Sequence, residues 1–292
     1  MIWLIGNKGM LGSDVESLLK QNEFEHLSSD LEVDITNYEQ LKDFVNDKKI
    51  DWIINCAAYT AVDRAEDEPD KAFLINAKGV LNIARIAKEK GAILIHISTD
   101  YVFDGNKEGT YTDKDKPNPT GVYGKSKLQG EIYIQDVLTR YYIIRTAWLY
   151  GLHGNNFVYT MLRLFKEKES VKVVSDQWGS PTYAKDLAKA IVKILKSKHN
   201  SYGIYHFTNE GKTNWYEFAK AIYIRSKGMG IINRDIKIVP ISSTEYPTKA
   251  KRPKNSYLSK DKIKRIFNIH INHWEDALND FLDAVKFEGI KV

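Results

Sequence analysis

The chain has 292 residues, 43% hydrophobic and 28% charged, with 43 basic against 38 acidic side chains and a formal charge of +5. That length suits one large or two unequal domains with a sizeable core, in the composition range of soluble globular proteins. No apolar run approaches the roughly 18 residues of a membrane helix, and the scattered lysines form no aromatic-interleaved stripe or zinc-finger spacing that would read nucleic acid. A single cysteine, Cys56, excludes an internal disulfide framework and fits a reducing cytoplasm. The opening "MIWLIGNKGM" lacks a basic segment and a cleavage site, so it reads as a strand and not as a leader.

In chain order, "MIWLIG", "DWIINCAAY", "GAILIHIS" and "RYYIIRTAWLYG" are nearly continuous in apolar residues, the pattern of strands buried on both faces. Between them, "GSDVESLLKQN", "NYEQLKDFVNDK" and "PDKAFLINAKGVLNIARIAKEKG" carry apolar residues at helical spacing, the last ending at Gly91 as a C-cap. A weak second strand precedes Asp30. This alternation predicts an α/β fold, a doubly wound parallel sheet with right-handed crossovers. Beyond about residue 150 come a helix "NFVYTMLRLFKEKE", the segment "VKVVSDQWGSPTY", a helix from about Ala184 to Lys196, a strand "GIYHFTN" and a helix "NWYEFAKAIYIRSKG". An irregular lysine-rich stretch with Pro240, Pro247 and Pro253 leads to a final helix "HWEDALNDFLDAVKF". The expected organisation is a Rossmann-type dinucleotide-binding part, residues 1–150 plus about 181–209, and a smaller α/β substrate lobe, about 151–180 plus 210–292.

Four constellations carry chemistry. In "GNKGMLG", Gly6, Gly9 and Gly12 follow the first strand and open the first helix, where glycines permit a tight turn and close approach to a pyrophosphate. Asp30 lies 18 positions after Gly12, where a carboxylate can bind ribose hydroxyls and repel a 2′-phosphate; Asp34 or Ile35 can border the adenine instead. In "NCAAYTAVDRAE", the small residues Ala57 and Ala58 let a cofactor pass close to the backbone, while nothing near Cys56 would make it a thiolate. "HISTDYVFDG" sets Ser98, Thr99 and Asp100 at the next strand end, with His96 a strand residue and not a metal ligand. Downstream, "GVYGKSKLQGE" places Tyr123 and Lys127 on one helix face. Alone, that pair is compatible with surface side chains; with Thr99 it forms a Thr–Tyr–Lys set.

Together these segments resemble the short-chain dehydrogenase/reductase superfamily in its extended, nucleotide-sugar branch. More narrowly, "STDYVFDG", "DQWGSPT" and "RPKNSYL" in that order resemble the dTDP-4-dehydrorhamnose reductase family, over nearly the whole chain. The resemblance implies NAD(P)H-dependent reduction of the 4-keto group of a dTDP-sugar, giving dTDP-L-rhamnose. Tyr123 would be the general acid, Lys127 would lower its pKa and bind the nicotinamide ribose, and Thr99 would align the ketone. Moving a phenol from near 10 to about 7 needs roughly 4 kcal/mol of differential stabilisation, which a desolvated lysine beside an oxidised nicotinamide can supply.

The resemblance also assigns the cofactor to Met10, Leu11, Tyr59 and Ile97 beside the residues above. It assigns the substrate to Asp100, Tyr101, Trp148, Asn156, Phe157 and Arg252, the last three facing the diphosphate. Asp30 favours NADH over NADPH. Some members bridge a dimer through magnesium; Asp14 and Asp186, with Lys185 adjacent, do not reproduce that set, so no metal is expected and a homodimer is allowed without being required. Reduction of another nucleotide-linked 4-keto sugar, and a non-catalytic regulatory subunit like that of methionine adenosyltransferase, remain alternatives. The dehydratase branch is disfavoured because no glutamate follows Asp100.

Overall fold

In the computed structural model, which describes residues 1–197 and 199–289, the strand runs of the first half form one sheet. Its strands are β1 (Ile2–Ile5), β2 (His26–Ser29), β3 (Trp52–Asn55), β4 (Ile93–Thr99), β5 (Tyr141–Thr146) and a sixth, Gly203–His206. Their order across the sheet is β2-β1-β3-β4-β5 and then the sixth strand, every pairing parallel. Parallel strands need crossovers, and helices on both faces supply them. The strand side chains alternate between two cores. Ile2, Leu4, Ile54, Ile95, Tyr142 and Ile144 face helix α1 (Met10–Gln21) and the helix Ala184–Lys196. Trp3, Ile5, Ile53, Leu94 and Ile143 face the opposite layer, which includes the helix Val80–Lys90.

The order of the strands reverses between β1 and β3, the place where open parallel sheets bind ligands at their carboxyl edge. The expected long third helix is continuous from Pro69 to Lys90 but contains a π-helical turn, Leu74–Gly79, and closes on Gly91 in the left-handed conformation. The weak second strand is real: its polar sequence "HLSS" pairs with β1 throughout.

A second core gathers Val158, Leu162, Phe165, Phe218, Leu278 and Phe281 from the helices Phe157–Glu167, Trp215–Gly228 and Trp274–Phe287. Against them lies a two-stranded parallel sheet of Ser170–Val174 and Lys237–Ile241. The second of these strands falls in the segment expected to be irregular; Pro240 is accommodated because a strand in a two-stranded sheet is an edge. A helix Asp261–Phe267 also falls in the lysine-rich stretch expected to be irregular, and its Ile263 and Phe267 return to the first sheet's core. Among the described residues no helix is long and apolar enough to cross a membrane.

Candidate active site

The glycine turn forms a cradle with no room for side chains. Gly6 has φ +81°, and a Cβ there would lie 2.7 Å from the Ala57 nitrogen; one on Gly12 would lie 1.9 Å from the Gly6 carbonyl. The Gly6 amide donates to Ser29 O at 2.7 Å, joining the turn to the end of β2. Gly9 is the N-cap of α1, so the first-turn amides around Met10 and Leu11 form a positive end suited to a phosphate. Leu11 is buried in the sheet core, so its backbone and not its side chain faces this role. Asp30 follows β2 directly and stays partly exposed, its amide bonded to Glu32.

Asp34 turns its carboxylate onto Thr36, and Ile35 is buried in the core against Gly79. On the other side of the cradle, Ala57 donates its amide to Asn55 Oδ1, and Tyr59 is held at both backbone atoms by Asn76. Ala58 between them is partly buried. Burial pushes the Cys56 thiol up to about 12, which leaves it no nucleophile.

The helix Val122–Val137 carries Tyr123 and Lys127. Its start is tied by Glu66, which accepts the Val122 amide at 2.8 Å. Two glycines let it seat: a Cβ on Gly124 would strike Tyr101 O, and one on Gly130 would strike Asn76 O, at 2.2 and 2.3 Å. Asn76 also donates to Ser126 Oγ at 3.0 Å, fastening the π-helical turn to the middle of this helix.

Tyr123 reaches the end of β4, with the Tyr101 ring edge-on at a centroid distance of 5.4 Å. Burial pushes its phenol up to about 12; the Thr99 hydroxyl beside it lowers it and the Asp100 charge raises it. The direction is opposite to the sequence expectation. Burial sets that direction, and Lys127 Nζ does not offset it: it is turned onto β4, donating to Ile97 O at 2.7 Å and lying 3.3 Å from His96 Nε2. Burial lowers Lys127 itself to about 8. Thr99 donates to Asp100 Oδ1 at 3.0 Å, and burial lifts Asp100 to about 6. One turn past Lys127, Glu131 receives Arg145 in a buried bidentate pair.

A cavity of about 590 Å³ opens from this point, walled by Asp100, Tyr101, Trp148, Phe157, Trp215 and Arg252, and continues to Met161, Val171 and Tyr246. Trp148 adopts φ +50°, rare for an aromatic residue, and its ring stacks on Trp215 at 3.7 Å. Phe157 packs on the same indole at 4.5 Å. Asn156 is placed differently from its neighbours: its side chain caps the helix Phe157–Glu167 and bonds Gly151 O. Arg252 extends across the cavity to Asp63, Nη2 to Oδ2 at 2.6 Å, while the other carboxylate oxygen takes the Ala250 amide at 3.0 Å.

Asp63, Trp215 and the apolar slot are the parts that sequence reading missed. "AVDRAE" and "NWYEF" showed the residues, but no spacing linked Asp63 to Arg252, 189 positions on, or Trp215 to Trp148 and Phe157.

A model of the RmlD substrate binding domain matches residues 1–287. The chain is similar to a dTDP-4-dehydrorhamnose reductase of Aggregatibacter actinomycetemcomitans, 41% identical over 95% of this chain and 96% of that one. It is likewise similar to the dTDP-4-dehydrorhamnose reductase of Escherichia coli K12, 38% identical over 97% of each. Among solved structures, a dTDP-4-dehydrorhamnose reductase from Bacillus anthracis in complex with NADP matches with a TM-score of 0.91 and 39% identity, over 97% of this chain and 98% of that one. The glycine cradle, the tyrosine helix and the aromatic-walled cavity thus lie in a chain that belongs, over essentially its full length, to the dTDP-4-dehydrorhamnose reductase family.

Proposed function

We propose that the protein reduces the 4-keto group of dTDP-4-dehydro-L-rhamnose to the alcohol of dTDP-L-rhamnose, using NAD(P)H. The observation that carries this reading is the phenol of Tyr123, beside Thr99 at the end of β4 and edge-on to Tyr101, whose neighbour Asp100 and own ring wall the cavity. The cradle fits a dinucleotide because the bare Gly6 and Gly12 let the turn close tightly on β3 and on the start of α1, leaving the first-turn amides of α1 at the sheet edge for its phosphates. When bound, the nicotinamide supplies hydride.

Tyr123 holds the proton that the substrate oxygen takes up; with the phenol near 12, it is protonated at neutral pH, the state a general acid requires. Thr99 aligns the ketone, and Lys127 positions the nicotinamide ribose. Trp148, Phe157 and Trp215 hold the sugar and exclude water, and Arg252 offers a charge-assisted contact to the diphosphate.

In this reading residues 1–150 with about 181–209 bind the dinucleotide, and about 151–180 with 210–292 bind the sugar nucleotide. The helix Asp261–Phe267 of the second part docks on the sheet of the first. Asp30 and Glu32 at the end of β2 disfavour a 2′-phosphate, although Lys8, paired to Glu32 at 3.2 Å, moderates their charge, so NADH is the preferred donor. The reaction belongs in the cytoplasm, and a homodimer fits it without being part of it.

The test is oxidation of NADH and NADPH in the presence of dTDP-4-dehydrorhamnose. Turnover is expected, with loss of at least a thousandfold in Tyr123→Phe while dinucleotide binding persists. Tight dinucleotide binding by the unaltered protein with no turnover on any nucleotide-linked 4-keto sugar would indicate a regulatory subunit instead.

A further inference from the structure

Behind Lys127 a buried polar chain continues through the sheet. β3 and β4 pair with Asn55 opposite His96, and neither side chain is used by the reaction described above. The amide N–H of Ala57 can only donate, and it lies 3.0 Å from Asn55 Oδ1, which settles which end of that side chain is oxygen. Asn55 therefore presents its Nδ2–H to His96 Nδ1, 3.0 Å away. His96 has no solvent contact, and burial together with the nearby Lys127 charge holds its pKa well below the usual histidine value. The ring is neutral and carries one proton. With Nδ1 accepting, that proton is on Nε2, which faces Lys127 Nζ at 3.3 Å.

An ammonium has three donors and no lone pair, so it meets Nε2–H as donor against donor. An amine resolves the conflict: its lone pair accepts from Nε2–H while one of its own hydrogens goes to Ile97 O. The other groups facing Lys127 do not cancel this bias. Glu131 on the same helix favours the ammonium but is engaged by Arg145. Cys56, from the end of β3, is a neutral thiol.

We propose that Asn55 and His96 are positioning residues that act through Lys127, enforcing a histidine tautomer whose N–H favours the amine over the ammonium. Lys127 then changes charge near neutral pH and is not a permanent cation; burial, which lowers its pKa to about 8, acts in the same direction. Its consequence for turnover rests on the reading of Lys127 as part of the catalytic set; the tautomer and the lysine titration do not.

The experiment is NMR on the full chain labelled in histidine and lysine. The His96 ring nitrogens are expected to show Nε2 protonated and Nδ1 bare between pH 6 and 9, and Lys127 Cε to titrate close to pH 8. A protonated Nδ1 would overturn the proposal. Asn55→Asp keeps an oxygen for Ala57 but gives His96 a carboxylate, drawing its proton to Nδ1 and leaving Nε2 to accept from the ammonium; His96→Gln offers an acceptor directly. Each variant is expected to raise the Lys127 titration, and the matching limb of kcat/KM, by at least one pH unit. An unmoved Lys127 titration in a folded variant counts against the idea, and if neither variant folds the tautomer in the unaltered protein decides. Lys127 shifting as expected in a protein without reductase turnover would sink the proposed function and leave this inference standing.

Discussion

Arg145 of β5 and Glu131 of the tyrosine helix meet in a bidentate ion pair without solvent contact, Nε to Oε1 at 3.0 Å and Nη2 to Oε2 at 2.6 Å. Ser98 donates to the same carboxylate at 2.5 Å and pairs in register with Arg145, so helix, β4 and β5 are fastened at one point beside Thr99. Removing one member of such a pair strands a buried charge, which costs about 3–5 kcal/mol. Arg145→Met is expected to lose that much in urea unfolding, and Glu131→Gln at least as much, because its amide N–H would face a guanidinium donor and leave the Arg145 charge unpaired. Losses under about 1 kcal/mol for Arg145→Met, on the scale of a surface pair, would show that the clamp does not hold the helix.

Lys127 is kept at a cost to the fold. Burial lowers its pKa from 10.5 to about 8, so folding disfavours the ammonium. The penalty is complete below about pH 8 and fades as pH rises toward the unfolded value. Lys127→Met should therefore be more stable than the parent at pH 7, by up to about 3 kcal/mol at 1.36 kcal/mol per unit, with the advantage vanishing above pH 10.5. Reductase turnover should be lost in the same protein. Thermal unfolding at the two pH values checks the sign; a variant less stable at pH 7 would contradict it.

Asp100 titrates on the acid side. Burial raises it to about 6, and its ionised form accepts the Thr99 hydroxyl. As pH falls through 6 the carboxylate gains a proton and Thr99 loses a charged acceptor. kcat/KM is expected to fall along an acid limb near pH 6 that is absent in Asp100→Asn. Because the native pKa is raised, Asp100 also makes the fold less stable as pH climbs from about 4 to 6, and Asn at this position removes that slope.

Asp63 sits outside the chemistry yet fixes Arg252 and the Ala250 amide at the cavity mouth. Asp63→Ala should raise KM for the sugar nucleotide by about tenfold, equivalent to 1.4 kcal/mol, with kcat changed by no more than about twofold. Steady-state kinetics separates the two, and a loss confined to kcat would place Asp63 in the reaction instead.

The sheet was legible because buried parallel strands write themselves as continuous apolar runs, and the glycine turn because its neighbours leave no alternative residue. What escaped were elements whose local signal contradicts their role. Pro240 argued against the strand Lys237–Ile241, and "DKIKRIF" lay in the lysine-rich stretch read as irregular although Ile263 and Phe267, four apart, bury one face. Tyr123 and Lys127 declared themselves by helical spacing. Their partners did not: His96 meets Lys127 across 31 positions and Arg252 meets Asp63 across 189, contacts that only the crossovers create. The chain alone holds the phenol high because burial dominates and Lys127 turns to Ile97 O, a side-chain direction that sequence distance does not give.

The sixth strand has a consequence for biosynthesis. β5 is complete at Thr146, but its free edge is covered only when Gly203–His206 has emerged, and Tyr142 and Tyr205 are sealed later still by Phe267. A nascent chain on the ribosome therefore carries an open parallel edge through the synthesis of the intervening helices, a ready template for mispairing. A fragment released at residue 150 would leave β5 and the α1 face bare of Ala184–Lys196 and aggregate, whereas the chain that includes the helix Trp274–Phe287 closes both cores and would stay in solution.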